Sequence, residues 1–415
     1  MSTVLDICSR AAGVKYDVQK LTTDEKNEAL TRAAERLIQR QEEILAANQK
    51  DIDNGIAGNM PEGLIDRLTL TGDRIEQIAE GLREVAALPD PVGQVMEEFT
   101  RPNGLKIRKV RVPMGVIGVI YESRPNVTAD AFALCFKAGS AVILKGGSDA
   151  IHSNVAITQV LRDSLAECGI TPDAVQLIAV TDRAATREFM TMRDYVDVLI
   201  PRGGAGLIRA TVENSKIPVI ETGTGNCHIY VDKDADIEKA IPIIINAKTQ
   251  RIGVCNAAES LVVHSAVMEQ FLPAFSEAMH SRGVELRADE ASRAFLPYAN
   301  EAAEEDYGRE YLDLIMSVKT VDSAEEAIEH INRYHTGHSD SIITENRETA
   351  KKFLDQVDSA CVYVNASTRF TDGFEFGFGA EIGISTQKLH ARGPMGLTEI
   401  TSYKYTIEGD GQIRG

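Results

Sequence analysis

Cys255 is the residue in this sequence whose type and surroundings best suit covalent chemistry. It lies between a long apolar helical pattern over 240–247 and an apolar strand pattern over 261–264. Gly253 and Asn256 flank it, and both residue types tolerate unusual backbone dihedrals. Loops between rigid elements are where proteins usually present reactive groups. The opposite interpretation stays open, because a single cysteine is most often a small, buried core residue.

Glu221 and the turn that follows it form a second candidate site. Glu221 ends a predicted strand over 218–221, 34 residues before Cys255, and precedes Thr-Gly-Thr-Gly-Asn over 222–226. A glycine-rich turn suits a hinge or a ligand crevice, and the ligands of parallel sheets bind beyond the carboxyl ends of the strands. Glu221 could equally be a solvated strand end.

Two further turns place backbone N–H groups and positive charge where a phosphate could bind. Lys145-Gly-Gly-Ser148 and Pro201-Arg-Gly-Gly-Ala-Gly206 each follow a predicted strand and precede a predicted helix. Helix N-termini and glycine-rich turns are common anion sites. Neither segment matches GxGxxG or a Walker loop, so each could also be only a tight turn.

Ser123-Arg-Pro-Asn126 follows the first predicted strand of the sheet and could supply an amide donor to a ligand. The competing interpretation is that Asn126 forms a turn that caps the helix predicted from residue 128. Both interpretations place a polar side chain at the end of a strand.

His335 and His338 have a spacing that could suggest a metal ion. No third ligand keeps that spacing, and Gly337 between them indicates a turn. We therefore predict no metal site.

The composition is that of a globular protein with two or three domains. At 415 residues the chain exceeds one ordinary core, and its 43% apolar and 26% charged residues are typical of soluble proteins. The net charge of −18 argues against nucleic acid or an anionic membrane as a partner. An anionic small substrate would need a local cluster of positive charge.

Cysteine usage and the N-terminal sequence predict a cytoplasmic protein. The six cysteines form no close pairs and no metal-type spacing, which indicates reduced thiols. The N-terminal residues lack the layout of a secretory signal, and no apolar run approaches the roughly 18 residues that span a bilayer.

The elements that must position these residues alternate between strands and helices after Pro113, which predicts parallel sheets covered by helices on both faces. Before Pro113 we predict one helix over about 24–50 and another over about 73–87. In the first alternating set, the predicted strands are 116–121, 141–145, 175–179, 196–200 and 218–221, and the helices 128–138, 152–168, 183–192 and 204–213. In the second set, the predicted strands are 227–231, 261–264, 314–321, 340–344 and 361–365, and the helices 235–247, 266–281, 324–334 and 347–356.

A hairpin and the last strand lie outside this alternation. Residues 98–112 alternate around Asn103-Gly104, a strong hairpin signal, and residues 399–408 alternate as a final strand. The hairpin strands are basic on one face and do not indicate a core. We predict that this hairpin pairs with another subunit.

Five segments carry a resemblance to a known family: 119–128 (VIYESRPNVT), 219–231 (VIETGTGNCHIYV), 250–259 (QRIGVCNAAE), 364–373 (VNASTRFTDG) and 381–395 (EIGISTQKLHARGPM). Together they resemble the aldehyde dehydrogenase superfamily and, within it, the glutamate-5-semialdehyde dehydrogenase family, also called the γ-glutamyl phosphate reductases. The resemblance covers essentially the whole chain. Ile252 departs from the family, whose members usually have proline there. The Gly-Gln-x-Cys pattern of hydrolytic relatives is absent, which favours the reductase branch.

The resemblance implies a fold and a reaction. The fold is α/β and aldehyde dehydrogenase-like, with a Rossmann-like parallel-sheet cofactor domain, an α/β catalytic domain and a small β oligomerisation element. The reaction is the NADPH-dependent reduction of L-glutamate 5-phosphate to L-glutamate 5-semialdehyde and phosphate, the second step of proline biosynthesis. The product cyclises spontaneously to 1-pyrroline-5-carboxylate. A separate glutamate 5-kinase, a possible partner, would supply the acyl phosphate.

The resemblance also implies a domain organisation. Residues 1–225, with a return segment over 366–397, would form the NADP-binding domain, and residues 226–365 the catalytic domain that carries the nucleophile. Residues 97–113 and 398–415 would form the oligomerisation element of a homodimer or higher homo-oligomer.

Three residues receive catalytic roles from the resemblance. Cys255 would attack the acyl phosphate and hold a thioester, because a thiolate suits an activated electrophile with a good leaving group. The Asn126 amide and the Cys255 backbone N–H would stabilise the oxyanion. Glu221 matches a glutamate that activates water in hydrolytic relatives. Reduction of an acyl phosphate needs no such water, so here Glu221 would relay a proton or tune the thiol.

Other residues receive binding roles. Lys145 and Ser148 would hold the adenosine side of NADPH and its 2′-phosphate, Gly203 and Gly204 the pyrophosphate, and Glu310 the nicotinamide ribose. The anionic substrate would be bound by basic residues, each of which could also be a solvated loop residue: Arg124, Arg369, Lys388, His390 and Arg392.

Two alternatives remain. One is a hydrolytic, NAD-dependent aldehyde dehydrogenase, which would oxidise the semialdehyde without phosphate. The other is a non-catalytic relative kept as a binding or structural protein, against which the retention of Cys255 with Asn126 argues.

Overall fold

The chain forms two compact units in the computed structural model, which describes residues 3–414. The first unit comprises the described residues of Met1–Glu221, Gly377–Gly383 and Met395–Gly415, and the second comprises Thr222–Phe376 and Ile384–Pro394. The assignment of a cofactor domain, a catalytic domain and an oligomerisation element to particular residues stays a prediction.

The α-helices, in chain order, are α1 (Val4–Gln19), α2 (Thr23–Gln39), α3 (Gln41–Ala57), α4 (Glu62–Leu68), α5 (Gly72–Ala87), α6 (Asn126–Lys137), α7 (Ile151–Glu167), α8 (Arg183–Phe189), α9 (Ala205–Asn214), α10 (Ile237–Thr249), α11 (Met268–His280), α12 (Glu290–Arg293), α13 (Ala324–Tyr334) and α14 (Arg347–Gln356). The strands are β1 (Val95–Thr100), β2 (Lys106–Pro113), β3 (Val116–Tyr121), β4 (Ala141–Lys145), β5 (Val175–Leu177), β6 (Val198–Arg202), β7 (Cys227–Val231), β8 (Ala258–His264), β9 (Glu285–Ala288), β10 (Asn300–Glu301), β11 (Ile315–Val321), β12 (Ser339–Ile343), β13 (Cys361–Val364), β14 (Ile384–Ser385), β15 (Gly393–Pro394) and β16 (Thr401–Glu408).

The first unit is built around a parallel sheet in the order β5-β4-β3-β6. Strands β3 and β4 are buried along their whole length because nearly every residue in them is apolar. Helix α8 packs Ala185 and Phe189 into the core on one side of this sheet. A separate antiparallel sheet, β1-β2-β16, contains the predicted hairpin and the predicted last strand.

The second unit is built around a seven-stranded parallel sheet in the order β10-β9-β11-β8-β7-β12-β13. Two apolar clusters cover it: one packs α10 and α11 against β7 and β8, and the other packs α13 and α14 around Tyr230 and Phe353. A short antiparallel pair, β14-β15, lies in the segment Ile384–Pro394 of the same unit.

These sheets confirm the predicted α/β fold and most of its elements, with two corrections. The single helix predicted over 24–50 is wrong, because the backbone leaves the helical region at Arg40, between α2 and α3. No glycine or proline marks that break; the Arg40 guanidinium stabilises it by binding Glu43 and Asp163. The strand predicted over 218–221 is reduced to one bridge, between Val219 and Leu199.

Helix α1 was not predicted. Thr3 and Asp6 form a capping box at its start. None of the helices described over residues 3–414 has the length and apolar character needed to cross a membrane.

Candidate active site

The candidate nucleophile lies in a loop of the second unit, residues 250–257, which joins α10 to β8. We call this segment the nucleophile loop. Both neighbouring elements are anchored in the apolar core, since every residue of β8 is buried and α10 buries Ala240, Ile244 and Ala247. Cys255 itself is half-buried. The loop therefore presents a thiol from two rigid elements.

Gly225 lies directly against the backbone of the nucleophile loop. A Cβ atom at Gly225 would be only 1.4 Å from the Cys255 carbonyl oxygen, so no larger residue fits without moving the loop. The Gly225 N–H donates to Glu310 Oε1 at 2.7 Å. The glycine-rich turn therefore provides a close backbone contact and orients Glu310, the predicted ligand of the nicotinamide ribose.

Side chains around Cys255 satisfy the polar groups of the loop. The buried Cys227 Sγ lies 3.2 Å from the Cys255 carbonyl oxygen and can donate to it. The Asn256 amide donates to the Thr371 carbonyl at 2.9 Å, and the Thr368 hydroxyl donates to the Asn256 carbonyl at 2.8 Å. These bonds hold the backbone on both sides of the thiol.

A buried ion pair joins the two ends of the nucleophile loop. Lys248 Nζ lies 2.5 Å from Glu259 Oε2, and neither side chain is exposed to solvent. Burial raises the pKa of Glu259 to about 7 and lowers the pKa of Lys248, while their mutual attraction opposes both shifts. Glu259 also accepts the Leu312 N–H at 3.2 Å. One carboxylate thus links the nucleophile loop to the segment that carries Glu310.

Four of the five basic residues predicted for the substrate lie in the second unit. Arg369 donates to Gln250 Oε1 at 2.7 Å and to Asn256 Oδ1, so it is tied to the nucleophile loop. Burial lowers the pKa of Arg369. Lys388 and Arg392 share one carboxylate, that of Asp358, at 2.5 and 2.8 Å.

The remaining two basic residues belong to different units. His390 has a positive φ of 68°, between Lys388 and Arg392 in the second unit. Arg124 is half-buried in the first unit, in the loop that follows β3.

Asn126 is the first residue of α6 in the first unit, beyond the carboxyl end of β3. Its amide donates to Asp130 Oδ2 at 2.9 Å, and no side-chain cap forms at the helix start. The competing interpretation, in which Asn126 caps the helix, is therefore wrong, and its role as an amide donor stays a prediction. Burial raises the pKa of Asp130 to about 6. Glu221, half-buried, follows the single bridge that Val219 makes with the sheet of this unit.

The cavity of the first unit lies beyond the carboxyl ends of β3 and β4, has a volume of about 570 Å³, and includes the predicted cofactor residues Lys145 and Ser148 in its lining. We call it the cofactor cavity. Lys145 Nζ donates to the Gly146 carbonyl at 3.0 Å, and burial lowers the Lys145 pKa. This position relative to a parallel sheet is the usual one for a dinucleotide.

Two glycines beside this cavity have little room for a side chain unless their neighbours move. A Cβ at Gly146 would be 2.1 Å from the Asn154 amide nitrogen, and one at Gly203 would be 2.5 Å from Glu122 Oε2. The Gly204 N–H donates to the same Glu122 oxygen at 2.9 Å. Gly146 thus brings bare backbone to the cavity lining, and Gly203 and Gly204 contact Glu122, which also lines it. Backbone N–H groups and a lysine are groups that can bind phosphate, so these residues are compatible with a dinucleotide.

His335 and His338 lie in hydrogen bonds of the second unit. His335 Nδ1 is 2.8 Å from Asp340 Oδ2, and His338 Nδ1 is 2.8 Å from Ser339 Oγ. Over residues 3–414 no group of three side chains has a geometry suited to a metal ion.

Sequence reasoning missed several residues around these sites. Gly225 and Cys227 contact the nucleophile loop, and Lys248 and Glu259 lie on either side of it. The sequence did not indicate these contacts, because no motif marks the residues as neighbours. Arg183 and Arg187 line the cofactor cavity. The two arginines are four residues apart on the helix that follows a predicted strand, so the sequence could have indicated a pair of positive charges on one face of that helix.

The sequence is similar to known proteins over nearly its whole length. A sequence model described as "Aldehyde dehydrogenase family" matches residues 2–313 and 310–405. A protein of Lachnospira eligens named "Gamma-glutamyl phosphate reductase" is 58% identical over 414 residues, covering 100% of both chains. A protein of the same name from Moorella thermoacetica is 58% identical and covers 95% of this chain and 94% of its own.

Solved structures show the same likeness. The crystal structure of gamma-glutamyl phosphate reductase from Thermotoga maritima superposes with a TM-score of 0.98, at 48% identity and 100% coverage of both chains. An acetylating aldehyde dehydrogenase from Geobacillus thermoglucosidasius shares the fold, with a TM-score of 0.69 at 16% identity over 99% of this chain and 97% of its own.

Proposed function

Because the chain belongs to the aldehyde dehydrogenase family and, within it, to the gamma-glutamyl phosphate reductases, we propose that it reduces L-glutamate 5-phosphate to L-glutamate 5-semialdehyde and phosphate with NADPH. The observation that carries this proposal is the 58% identity over the full length of a relative of that name. Membership of the family implies a nicotinamide cofactor. The product would cyclise spontaneously to 1-pyrroline-5-carboxylate, and the reaction is the second step of proline biosynthesis from glutamate.

Cys255 is the proposed nucleophile. Its thiolate sulfur would bond to the acyl carbon of the acyl phosphate, the carbon–oxygen bond to phosphate would break, and phosphate would leave with that electron pair. The result is a thioester on Cys255. The close fit of Gly225 and the bonds from Cys227 and Asn256 support this role, because they hold the loop in one position.

Reduction of the thioester needs a hydride, which the nicotinamide supplies when it is bound. Lys145, Ser148, Gly203 and Gly204 are the proposed residues for its adenosine, ribose and diphosphate groups, and Glu310 is the proposed residue for the nicotinamide ribose. The bond from Gly225 to Glu310 supports the last assignment, since it fixes the carboxylate beside the turn that contacts Cys255.

The tetrahedral stages on Cys255 carry an oxyanion. We assign its stabilisation to the Asn126 amide and the Cys255 backbone N–H; removing one such donor typically slows an enzyme about 10²–10³-fold. An amide nitrogen carries two hydrogens, so the bond from Asn126 to Asp130 leaves a second N–H to donate. Asp130 would then orient the Asn126 amide.

Glu221 needs no role in activating water, because hydrolysis of the thioester would waste the activated substrate. We propose that it relays a proton or tunes the Cys255 thiol. Arg124, Arg369, Lys388, His390 and Arg392 are the proposed binding residues for the phosphate and carboxylate of the substrate. The bond from Arg369 to Asn256 supports its place beside the nucleophile loop.

The sheet β1-β2-β16 supports a homodimer or higher homo-oligomer. Val95, Phe99, Tyr403 and Ile407 are exposed on this sheet. Burial of these side chains against a second copy would remove apolar surface from water. A separate glutamate 5-kinase would supply the acyl phosphate.

Phosphate dependence tests the proposed reaction. In the oxidative direction, semialdehyde and NADP⁺ should yield NADPH over many turnovers only when phosphate is present, and arsenate should replace phosphate. The reason is that phosphate must attack the thioester for the acyl group to leave. NADPH formation in large excess over the enzyme without either anion would overturn the proposal and favour the hydrolytic, NAD-dependent alternative.

A further inference from the structure

Arg183 and Arg187 carry charges that none of the residues described over 3–414 neutralises. Both are exposed on α8, one helical turn apart. Within residues 3–414, no hydrogen bond or ion pair involves either guanidinium, in contrast to Arg162, which binds Asp173 at 2.9 Å. In a chain of net charge −18, two arginines without an acidic partner leave a local positive patch.

The helix directs these arginines into the cofactor cavity. Ala185 and Phe189 are buried in the core of the unit, which fixes the rotation of α8. Arg183, Thr186, Arg187 and Met190 then share the face that lines the cavity, since their spacing is three or four residues. Their place in the cavity lining therefore follows from the packing of the helix.

Lys145 adds a third positive charge to the same cavity, and Ser148 and Thr181 add hydroxyl groups. The one carboxylate in the lining, Glu122, already accepts the Gly204 N–H at 2.9 Å. Three cations and the hydroxyls of Ser148, Thr181 and Thr186 around one cavity match a phosphate dianion, which guanidinium groups bind through paired N–H donors.

We propose that Arg183 and Arg187 bind the 2′-phosphate of the cofactor's adenosine ribose and thereby select NADPH over NADH. This inference rests on the proposed function, which places a nicotinamide dinucleotide in this cavity. The sheet order supports the 2′-phosphate rather than the diphosphate. Helix α8 follows β5, whereas the turn with Gly203 and Gly204 follows β6, and the strand order β5-β4-β3-β6 puts these two strands roughly 14 Å apart.

The inference is tested by measuring dissociation constants with titration calorimetry. The Kd values for NADPH, NADH and adenosine 2′,5′-bisphosphate are compared between wild type and three variants: Arg183→Gln, Arg187→Gln and the double variant. Each single substitution should raise the Kd for NADPH and the bisphosphate about 10- to 100-fold and leave the Kd for NADH within about threefold. Arg193→Gln is the matched control, because Arg193 is exposed after α8 but does not line the cavity.

Equal weakening of NADPH and NADH would overturn the inference, because the arginines would then act on the diphosphate. Unchanged affinity for NADPH in the double variant, with an unchanged melting temperature, would overturn it as well. A wild-type protein that binds both dinucleotides equally well would contradict this inference alone, since phosphate dependence can still hold. Failure of phosphate dependence would contradict the proposed reaction, whatever the binding constants.

Discussion

The nucleophile loop and the cofactor cavity are built in opposite ways. The loop has its ends joined by the buried Lys248–Glu259 pair, its backbone packed against Gly225, and the carbonyl oxygen of Cys255 within reach of the Cys227 thiol. The cofactor cavity instead contains arginine side chains for which the structure, over residues 3–414, records no protein partner. One region satisfies its polar groups internally, and the other leaves them for a ligand.

The difference follows from the tasks proposed for the two regions. A covalent step requires the attacking atom to stay in place, and a displacement of about 1 Å can cost about 10²-fold in rate. A binding cavity gains affinity from charges that meet their partner only when the ligand arrives. Substitutions in the loop should therefore lower turnover, and substitutions in the cavity should weaken binding.

The largest effect is expected from Cys255→Ala. Turnover should fall by about 10⁴-fold or more, because the thioester cannot form, while the fold and cofactor affinity stay unchanged. Steady-state kinetics measure the turnover, and calorimetric titration with NADPH measures the cofactor affinity.

Iodoacetamide should label Cys255 in wild type at a rate that substrate or cofactor alters. Cys168→Ala, at another half-buried cysteine, is the control. Normal turnover of Cys255→Ala would rule out the mechanism and favour the interpretation of Cys255 as a small core residue.

Gly225→Ala should have the next largest effect. Its new methyl group overlaps the Cys255 carbonyl, so the loop must move and kcat should fall about 10²-fold. The Kd for NADPH should change much less, because Glu310 is the one proposed cofactor residue that Gly225 binds, and the others belong to the first unit. Gly13→Ala is the control, since nothing lies within 4 Å of a Cβ there. An unchanged kcat would show that the loop does not need its tight packing.

The smallest effect concerns Asp130, which binds the Asn126 amide in the first unit. Burial raises its pKa from 3.8 to about 6, so the folded protein holds this proton more tightly than the unfolded chain. The resulting stabilisation is fully present below about pH 3.8 and is lost as the pH rises to about 6. Urea unfolding from pH 4 to 7 should therefore show wild type losing stability relative to Asp130→Asn as the pH rises. Parallel curves would contradict this expectation, and Asp194→Asn, at an exposed carboxylate, is the control.

Most of the fold could be predicted from the sequence, because the spacing of apolar residues differs clearly between its helices and its strands. β3, β4, β7, α13 and α14 lie where the sequence places them, within two residues. The break at Arg40 could not be predicted, because it depends on Asp163, more than one hundred residues away, and no glycine or proline marks it. The reduction of the predicted strand 218–221 to a single bridge at Val219 could not be predicted either, since Val219 and Ile220 have the β-branched side chains typical of a strand.

Part of the candidate site could also be predicted, because its residues lie at the ends of elements that the sequence indicates. Cys255, Lys145 and Asn126 stand at the ends of predicted elements, and residue type and loop position alone indicate their chemistry. The role of Asn126 was not settled by sequence, because a capping bond and a bond to Asp130 are both within reach of an asparagine at a helix start.

The sequence by itself determined the α/β alternation, the family and the candidate nucleophile, because these depend on local periodicity and on motifs that are contiguous in the chain. Only the tertiary structure decided which residues surround that nucleophile and which line the cofactor cavity. The contact of Gly225 with Cys255 joins residues 30 positions apart, and Arg183 meets Lys145 in one cavity only because α8 is rotated by the burial of Phe189. Such contacts arise from packing between elements, which no local pattern encodes.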